Sequence, residues 1–361
     1  MLKISKSAPE DVFDITVEDN SNFYANGVLV HNCQEITLPS LPISSVEDEE
    51  GVISLCTLSA LNIGKMKSPQ DFKPYARILV RFLDEILSYQ DYPVRAAEKA
   101  TLAYRPLGIG LINLAYFFAK NGVKYDESAL PLLDEYMEAM SYYLIEASIE
   151  LAEEKGPCEL WQNTKYSKGI MPIDTRKLTV DELVPHMERM DWDSLRERAL
   201  KSGIRNATLM ALMPAETSAQ LSNSTNGIEP VRSLVTEKGS KTGILRQVVP
   251  DITKLKNEYD MLWDQVSPRG YLKVGAILQK YVDQSGSFNV SYNPLHYEDG
   301  QIPMSVMIGD ILFAYSVGLK NLYYQNTYDG ADEDQFSYDG KSTEDVILED
   351  IEDETCDSCV L

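Results

Sequence analysis

The sequence predicts an α/β fold for residues 33–328, with a small all-β unit ahead of it and an acidic tail behind it. Three observations predict this. From about Cys33 onward, helical patterns alternate with short apolar runs. Residues 1–32 are instead rich in strand-forming and turn residues. From Asp329 to the C-terminus 13 acidic residues face a single base, Lys341, with few core-forming side chains between them.

Each element has a local reason. Val12 to Val17 has strand propensity, and Asp19-Asn20-Ser21-Asn22 reads as a turn. Phe23-Tyr24 leads into Asn26-Gly27, a two-residue hairpin signal, and Val28-Leu29-Val30 is the returning strand. Ser68-Pro69-Gln70-Asp71 supplies the cap residue, N1 proline and early acid of a helix start. Behind it Phe72, Tyr75, Leu79, Phe82, Leu83 and Ile86 are expected to form one apolar face. A second helix is expected from Leu130 to Lys155, stopped by Gly156-Pro157. Short apolar runs such as Thr208 to Met213 are the expected strands. No internal repeat is visible.

Composition narrows the class. With 361 residues and 44% hydrophobic content, the chain has material for a sizeable core and two to three domains at roughly 150 residues each. The boundaries read as 1–32, 33–328 and 329–361. Thirty-three basic against 56 acidic residues leave a net charge of −23, which argues against a nucleic-acid reader, whose affinity rests on Lys and Arg neutralising phosphates. No apolar run approaches the ~18 residues of a membrane span, and Met1 to Glu10 is no signal peptide. Five cysteines, an odd number, fit a reducing cytoplasm better than a disulfide scaffold.

Chemistry-bearing residues occur in several places. In His31-Asn32-Cys33 an Asn side chain can cyclise onto its own carbonyl, a His can polarise that carbonyl, and a Cys can receive the transferred chain. Alone, the tripeptide reads as an ordinary loop. Cys33 and Glu35, two residues apart, share a side of an extended backbone and could pair sulfur chemistry with proton transfer. Cys56 lies in the strand-like run GVISLCTLSALNIG and alone reads as a buried structural cysteine. Glu216, Thr217 and Ser218 follow an apolar run and open a helix, where free N–H groups and the helix dipole favour an anion, although an ordinary cap has the same pattern. Tyr323 and Tyr324 stand side by side, usually for packing. Cys356 and Cys359 close the acidic tail.

Other features carry less. Gly108-Ile109-Gly110 suggests a dinucleotide fingerprint, but Asn113 occupies the third glycine position and no strand clearly precedes it. Zinc binding by Cys356 and Cys359 lacks two further ligands, so no metal site is expected. Cys158, His186 and His296 read as structural.

Taken in order, the motifs resemble two known families. VFDITVEDNSNFYANGVLVHNC resembles the C-terminal half of a split intein. That resemblance implies that Asn32 cyclises, His31 assists, Asp14 activates or positions the thiol, and Cys33 receives the chain. Ser21 stands where many inteins carry a histidine, so His31 would cover that role. With Met1 opening the chain, the other intein half is expected on a second polypeptide.

CQEITLP, GVISLCTLSALNIG, RPLGIG, MPAETSAQLSNSTNGIEP, NLYYQNTYDG and the cysteine-bearing tail resemble the C-terminal portion of the class I ribonucleotide reductase large subunit. The resemblance implies the second half of a ten-stranded α/β barrel and reduction of ribonucleoside diphosphates by a thiyl radical on Cys33. It further implies Glu35 as the proton carrier and Cys56 as one of two reducing thiols. Glu216, Thr217 and Ser218 would hold the substrate phosphates, and Tyr323 and Tyr324 would relay the radical. Cys356 and Cys359, closer together than in some members, would re-reduce the site.

Implied partners are an N-terminal fragment with the complementary intein half, a metal-containing small subunit that supplies the radical, thioredoxin or glutaredoxin, and a second spliced subunit in a homodimer. No cofactor is expected on this chain, and nucleotide effectors are expected on the missing portion. Two other readings remain from the sequence. One is a degenerate half that acts only as an interaction module. The other is a cobalamin-dependent reductase, which would have no use for the tyrosine pair.

Overall fold

A hairpin opens the structure. β1 (Asn22–Ala25) and β2 (Val28–His31) pair antiparallel with Ala25 opposite Val28, the register expected of a two-residue connection. The computed structural model describes residues 35–48, 50–240 and 243–328, and the backbone of 22–25 and 28–31; the side chains at 216–217, 237–240 and 243–246 are outside that description. The strand expected at Val12 to Val17 and the acidic tail lie outside the described residues.

From residue 35 the chain is α/β. A short antiparallel pair, β3 (Ser40–Leu41) and β4 (Val52–Ile53), precedes β5 (Thr57–Asn62), α1 (Phe72–Tyr89) and α2 (Arg95–Tyr104). Next come β6 (Leu107–Ile112), α3 (Leu114–Asn121), α4 (Leu130–Lys155), α5 (Trp192–Ser202) and α6 (Glu216–Leu221). The antiparallel pair β7 (Val235–Ser240) and β8 (Gly243–Val248) leads to α7 (Ile252–Leu255) and α8 (Arg269–Tyr281). β9 (Val290–Tyr292), α9 (Met304–Ser316) and β10 (Gln325–Thr327) complete the described chain.

Five extended segments lie side by side, parallel and in chain order. β5 pairs β6 from Thr57 opposite Leu107 to Asn62 opposite Ile112. β6 bonds to residues 208–211 through Ile109 N–H to Leu209 O (2.8 Å) and Ala211 N–H to Ile109 O. Those residues bond in turn to 284–287, with Leu212 opposite Gly286. That run continues into β9, which pairs β10. Consecutive parallel order with helical crossovers is barrel-like topology. The array is nevertheless open: among the described residues β5 and β10 each have a sheet neighbour on one side only, so no closed barrel forms.

Local signals place the helices. At α1 a 3₁₀ turn over Pro69–Asp71 carries the capping box, and Asp71 Oδ2 accepts the Ser68 N–H. α4 ends where Gly156 takes φ 85, as Gly156-Pro157 led us to expect. Buried charges then lock the layers. Lys280 of α8 reaches Asp134 of α4 at 2.7 Å with both side chains fully enclosed, and Arg189 joins Asp134 and Glu138 at 2.9 Å each. Asp84 of α1 holds Arg105 at 2.5 Å and Arg205 at 3.2 Å beneath the sheet. Removing one partner of such a pair typically costs about 3–5 kcal/mol, because the other charge stays buried alone.

One expectation about α1 is corrected. The core takes Phe72, Ala76, Val80, Leu83 and Leu87, while Tyr75 and Phe82 face outward. Leu79 and Ile86 are half-buried between the two sets. The helix is apolar over a wider arc than the core can cover, so hydrophobic spacing alone could not tell which part turns inward.

Candidate active site

The run from Gln284 to Val290 connects four of the sequence-derived site residues, Glu35, Cys56, Tyr323 and Tyr324. Gln284 is buried, with its Nε2 donating to Leu107 O (2.9 Å) and to the Cys56 sulfur (3.7 Å), and its Oε1 accepting the Thr37 N–H (3.3 Å). The next residue, Ser285, donates its N–H to Glu35 O at 3.0 Å. Ser287 donates its hydroxyl to the Glu35 carboxylate, which is buried. Phe288 O accepts the Tyr323 N–H (2.8 Å), and Asn289 Oδ1 accepts the Tyr324 N–H (3.2 Å).

The glycines of β6 make room for this cluster. A Cβ on Gly108 would stand 2.6 Å from the Cys56 sulfur and 2.5 Å from Leu58 Cδ2. On Gly110 it would meet Ala211 O and Met213 Sδ at 2.7 Å each. Both glycines therefore lie inside a strand, which the sequence reading did not recognise, and serve close approach rather than a phosphate turn. Asn113, in the left-handed conformation at φ 72, tucks its side chain inward, where Oδ1 accepts the Thr225 N–H (2.9 Å) and Nδ2 donates to Asn62 Oδ1 (3.0 Å).

Cys56 immediately precedes β5 and is half-buried. Burial pushes its thiol up to about 12, with the nearby Asp283 and Glu35 carboxylates adding to the rise and the Gln284 contact opposing it. At neutral pH it is a thiol, suited to giving hydrogen or entering a disulfide at an enclosed site rather than to attacking exposed electrophiles. The tyrosines stack with ring centroids 3.9 Å apart and hydroxyls 3.1 Å apart. They are only half-buried, so core packing does not account for the pair. A cleft of about 320 Å³, lined by Leu38, Pro39, Tyr166, Thr208 and Asp283 among others, adjoins the N-terminal end of these strands.

α6 lies toward the other end of the array. Ala215 and Ala219 pack on Ala60 and Ile112 near the C-terminal ends of β5 and β6. From Cys56 to Ala60 the strand advances roughly 13 Å at 3.3 Å per residue. Ser218 is exposed on α6, and the backbone of Glu216 and Thr217 begins the helix. Ligands of open α/β sheets bind at the C-terminal ends of strands.

Other expected site residues are outside the described structure: Asp14, Asn32, Cys33, Cys356 and Cys359. For His31 only the backbone is described, at the end of β2. Among the described residues no three His, Cys, Asp or Glu side chains are placed to hold a metal ion, and no helix is long and apolar enough to cross a membrane. Cys158 is buried. His186 faces Glu188 at 3.4 Å, and His296 Nε2 lies 3.0 Å from Trp263 O.

Residues 12–325 match the family described as ribonucleotide reductase, barrel domain. The chain belongs to that family. Its relatives in the ribonucleotide reductase family agree. Over 315 residues it is 51% identical to the ribonucleoside-diphosphate reductase subunit alpha of Buchnera aphidicola from Acyrthosiphon pisum, covering 87% of this chain and 41% of that one. It is 48% identical over 273 residues to ribonucleoside-diphosphate reductase 1 subunit alpha of Escherichia coli, 75% of this chain and 35% of the relative. Against the subunit alpha of Enterobacteria phage T4 it is 42% identical over 318 residues, 87% and 41% of the two chains. The chain thus spans about two fifths of the length of these reductase subunits. The family match begins at residue 12, inside the segment that resembles an intein.

Within this reductase barrel segment, the sequence reading missed Gln284 and Ser287. A signal existed: Asp283-Gln284-Ser285-Gly286-Ser287 puts four polar side chains in a stretch bounded by apolar residues, a pattern that asks for buried hydrogen-bond partners.

Proposed function

We propose that this chain is the C-terminal-side part of a ribonucleoside-diphosphate reductase large subunit, made whole by trans-splicing to an N-terminal partner. The observation that carries the reading is the run 284–290, which ties Cys56, Glu35, Tyr323 and Tyr324 into one hydrogen-bonded unit. No packing requirement brings a thiol, a buried carboxylate and a tyrosine stack together.

In this reading Tyr323 and Tyr324 pass the radical from a small subunit to Cys33. The Cys33 thiyl takes the 3′ hydrogen atom of the ribose, and Glu35 takes the 3′-hydroxyl proton. The 2′-hydroxyl leaves as water, and Cys56 with a second thiol on the missing portion supplies two electrons and two protons, ending as a disulfide. Glu35 gives the proton back to the 3′ oxygen, and Cys33 returns the 3′ hydrogen and recovers its radical. Residues 216–218 hold the substrate phosphates at the start of α6. Cys356 and Cys359 reduce the disulfide and are reset by thioredoxin or glutaredoxin. The completed barrel has ten strands, the spliced subunit forms a homodimer, and the enzyme works in the cytoplasm.

Residues 1–32 are removed in this scheme, with Asn32 cyclising, His31 and Asp14 assisting, and Cys33 becoming internal. The test is co-expression with the preceding subunit portion carrying the complementary intein half, followed by mass spectrometry and a nucleoside diphosphate reduction assay with the small subunit. A ligated product that turns over, and loses turnover in Cys33→Ser, is the expected result. Ligation without any reduction would overturn the enzymatic reading, and no ligation would overturn the splicing one.

A further inference from the structure

α1 carries an apolar face that nothing in the described structure covers. Placed at 100° per residue, its side chains fall into three sectors. Phe72, Ala76, Val80, Leu83 and Leu87 enter the core. A charged flank lies along α4, where Lys73 reaches Glu146 (3.0 Å), Arg77 Nε reaches Glu150 (2.7 Å) and Arg81 reaches Glu154 (2.9 Å). The third sector holds Tyr75, Ile78, Phe82 and Tyr89, which are 54%, 68%, 58% and 92% exposed. With the half-buried Leu79 and Ile86, the apolar arc spans about 200°, twice the ~100° stripe of an ordinary surface helix.

The helix that carries this face follows the strand at an open sheet edge. α1 is the helix that follows β5, and among the described residues β5 bonds to β6 on one side and to no strand on the other. An open strand edge and an exposed apolar stripe are each costly in water. Here they belong to consecutive elements, β5 and the helix that follows it.

We propose that the Tyr75–Ile78–Phe82–Tyr89 face of α1 is the docking surface for the remainder of the large subunit. That portion would extend the sheet at β5 and lay apolar side chains on α1. The choice of occupant rests on the reading above and on length: the chain spans 41% of the relatives it most extensively matches, so a larger piece of subunit remains to be placed. Among the described residues the edges at β5 and β10 are both open to that piece, and β5 is the one directly followed by the helix with the bare face. A second copy of this chain offers the same edge and the same stripe, but lacks the strands needed to close the array in chain order.

The test needs neither splicing nor catalysis. The full chain is mixed with the preceding subunit portion lacking any intein half, and association is measured by sedimentation velocity. Hydroxyl-radical footprinting reads Tyr75, Phe82 and Tyr89 in the unmutated chain, so the result does not depend on a variant that folds. Complex formation is expected to lower their oxidation at least threefold, and I78E/F82E is expected to weaken association at least tenfold. L178E, an exposed control on another face, should leave association unchanged. Protection that rises with the concentration of this chain alone would mean that a second copy covers the face, and would overturn the proposal. So would a complex in which the three residues stay reactive, or no complex at all. Association with protection in this unligated pair, beside a ligated product from the co-expression test that reduces no nucleotide, would leave this proposal standing and count against the enzymatic reading.

Discussion

The hydroxyl of Tyr323 lies 3.1 Å from that of Tyr324, with the two rings stacked at 3.9 Å and 39°. Adjacent residues in extended backbone normally point to opposite sides. This stack therefore depends on the irregular chain leading into β10, held by Phe288 O on Tyr323 and Asn289 on Tyr324. It places two oxidisable O–H groups in contact.

Replacing either tyrosine by Phe keeps the ring and deletes the O–H. Stability should fall by no more than about 1 kcal/mol, the net worth of a typical hydrogen bond. Reductase turnover of the completed enzyme should fall to background. Urea melts and a reduction assay on Y323F and Y324F check both halves, and near-normal turnover in both variants would return the pair to packing.

Ser287→Ala should remove the hydroxyl that Glu35 accepts while leaving the carboxylate buried. The cost should be about 1–3 kcal/mol in folding stability, the penalty of a buried acceptor losing its donor. In the proposed mechanism Ser287 steadies the proton carrier Glu35 rather than the substrate, so turnover should drop with substrate KM nearly unchanged. An unaltered melt together with an unaltered kcat would show that the bond does nothing.

Cys56 alkylation should report its raised pKa. With the folded value at about 12, above the ordinary 9.0, the thiol stays protonated through neutral pH. Iodoacetamide labelling should then climb about tenfold per pH unit from pH 7 to 11, following the thiolate fraction. The linkage sign is that of a raised folded pKa: this contribution to stability is fully present below about 9 and is lost as pH rises through about 12. Peptide mapping of the labelled chain is the measurement, and a plateau near pH 9 would contradict the burial.

Gly108→Ala puts a Cβ 2.6 Å from the Cys56 sulfur and 2.5 Å from Leu58. Overpacking of this kind costs roughly 1–3 kcal/mol. The melt should shift by that amount, and Cys56 should label faster as its thiol is displaced toward solvent. A variant as stable as the parent, with unchanged labelling, would mean that the strand yields easily.

Asn32→Ala removes the side chain proposed to cyclise. Release of residues 1–32 and ligation at Cys33 should stop. Intact-mass analysis of the co-expressed pair reads this directly, and ligation persisting in N32A would mean that the segment is not an intein.

Much of this protein could be read from its sequence because the causes are local. The helix start at Ser68-Pro69, the stop at Gly156 and the antiparallel register of β1 and β2 depend on residues only a few positions apart. The chemically capable residues stood out by type and by motif order. Other features required the tertiary structure. Gln284 meets Cys56 across 228 positions and Ser287 meets Glu35 across 252, separations over which composition and periodicity carry no signal. The sequence already counted against a dinucleotide fingerprint at the β6 glycines, but only the tertiary structure put the Cys56 sulfur where a Cβ on Gly108 would be. α1 is apolar on more than one side, and only its seat on the core and on α4 decided that Phe72 turns inward while Phe82 stays bare. Local rules set where an element begins and ends; which face it buries depends on the neighbours it meets, and those come from distant parts of the chain.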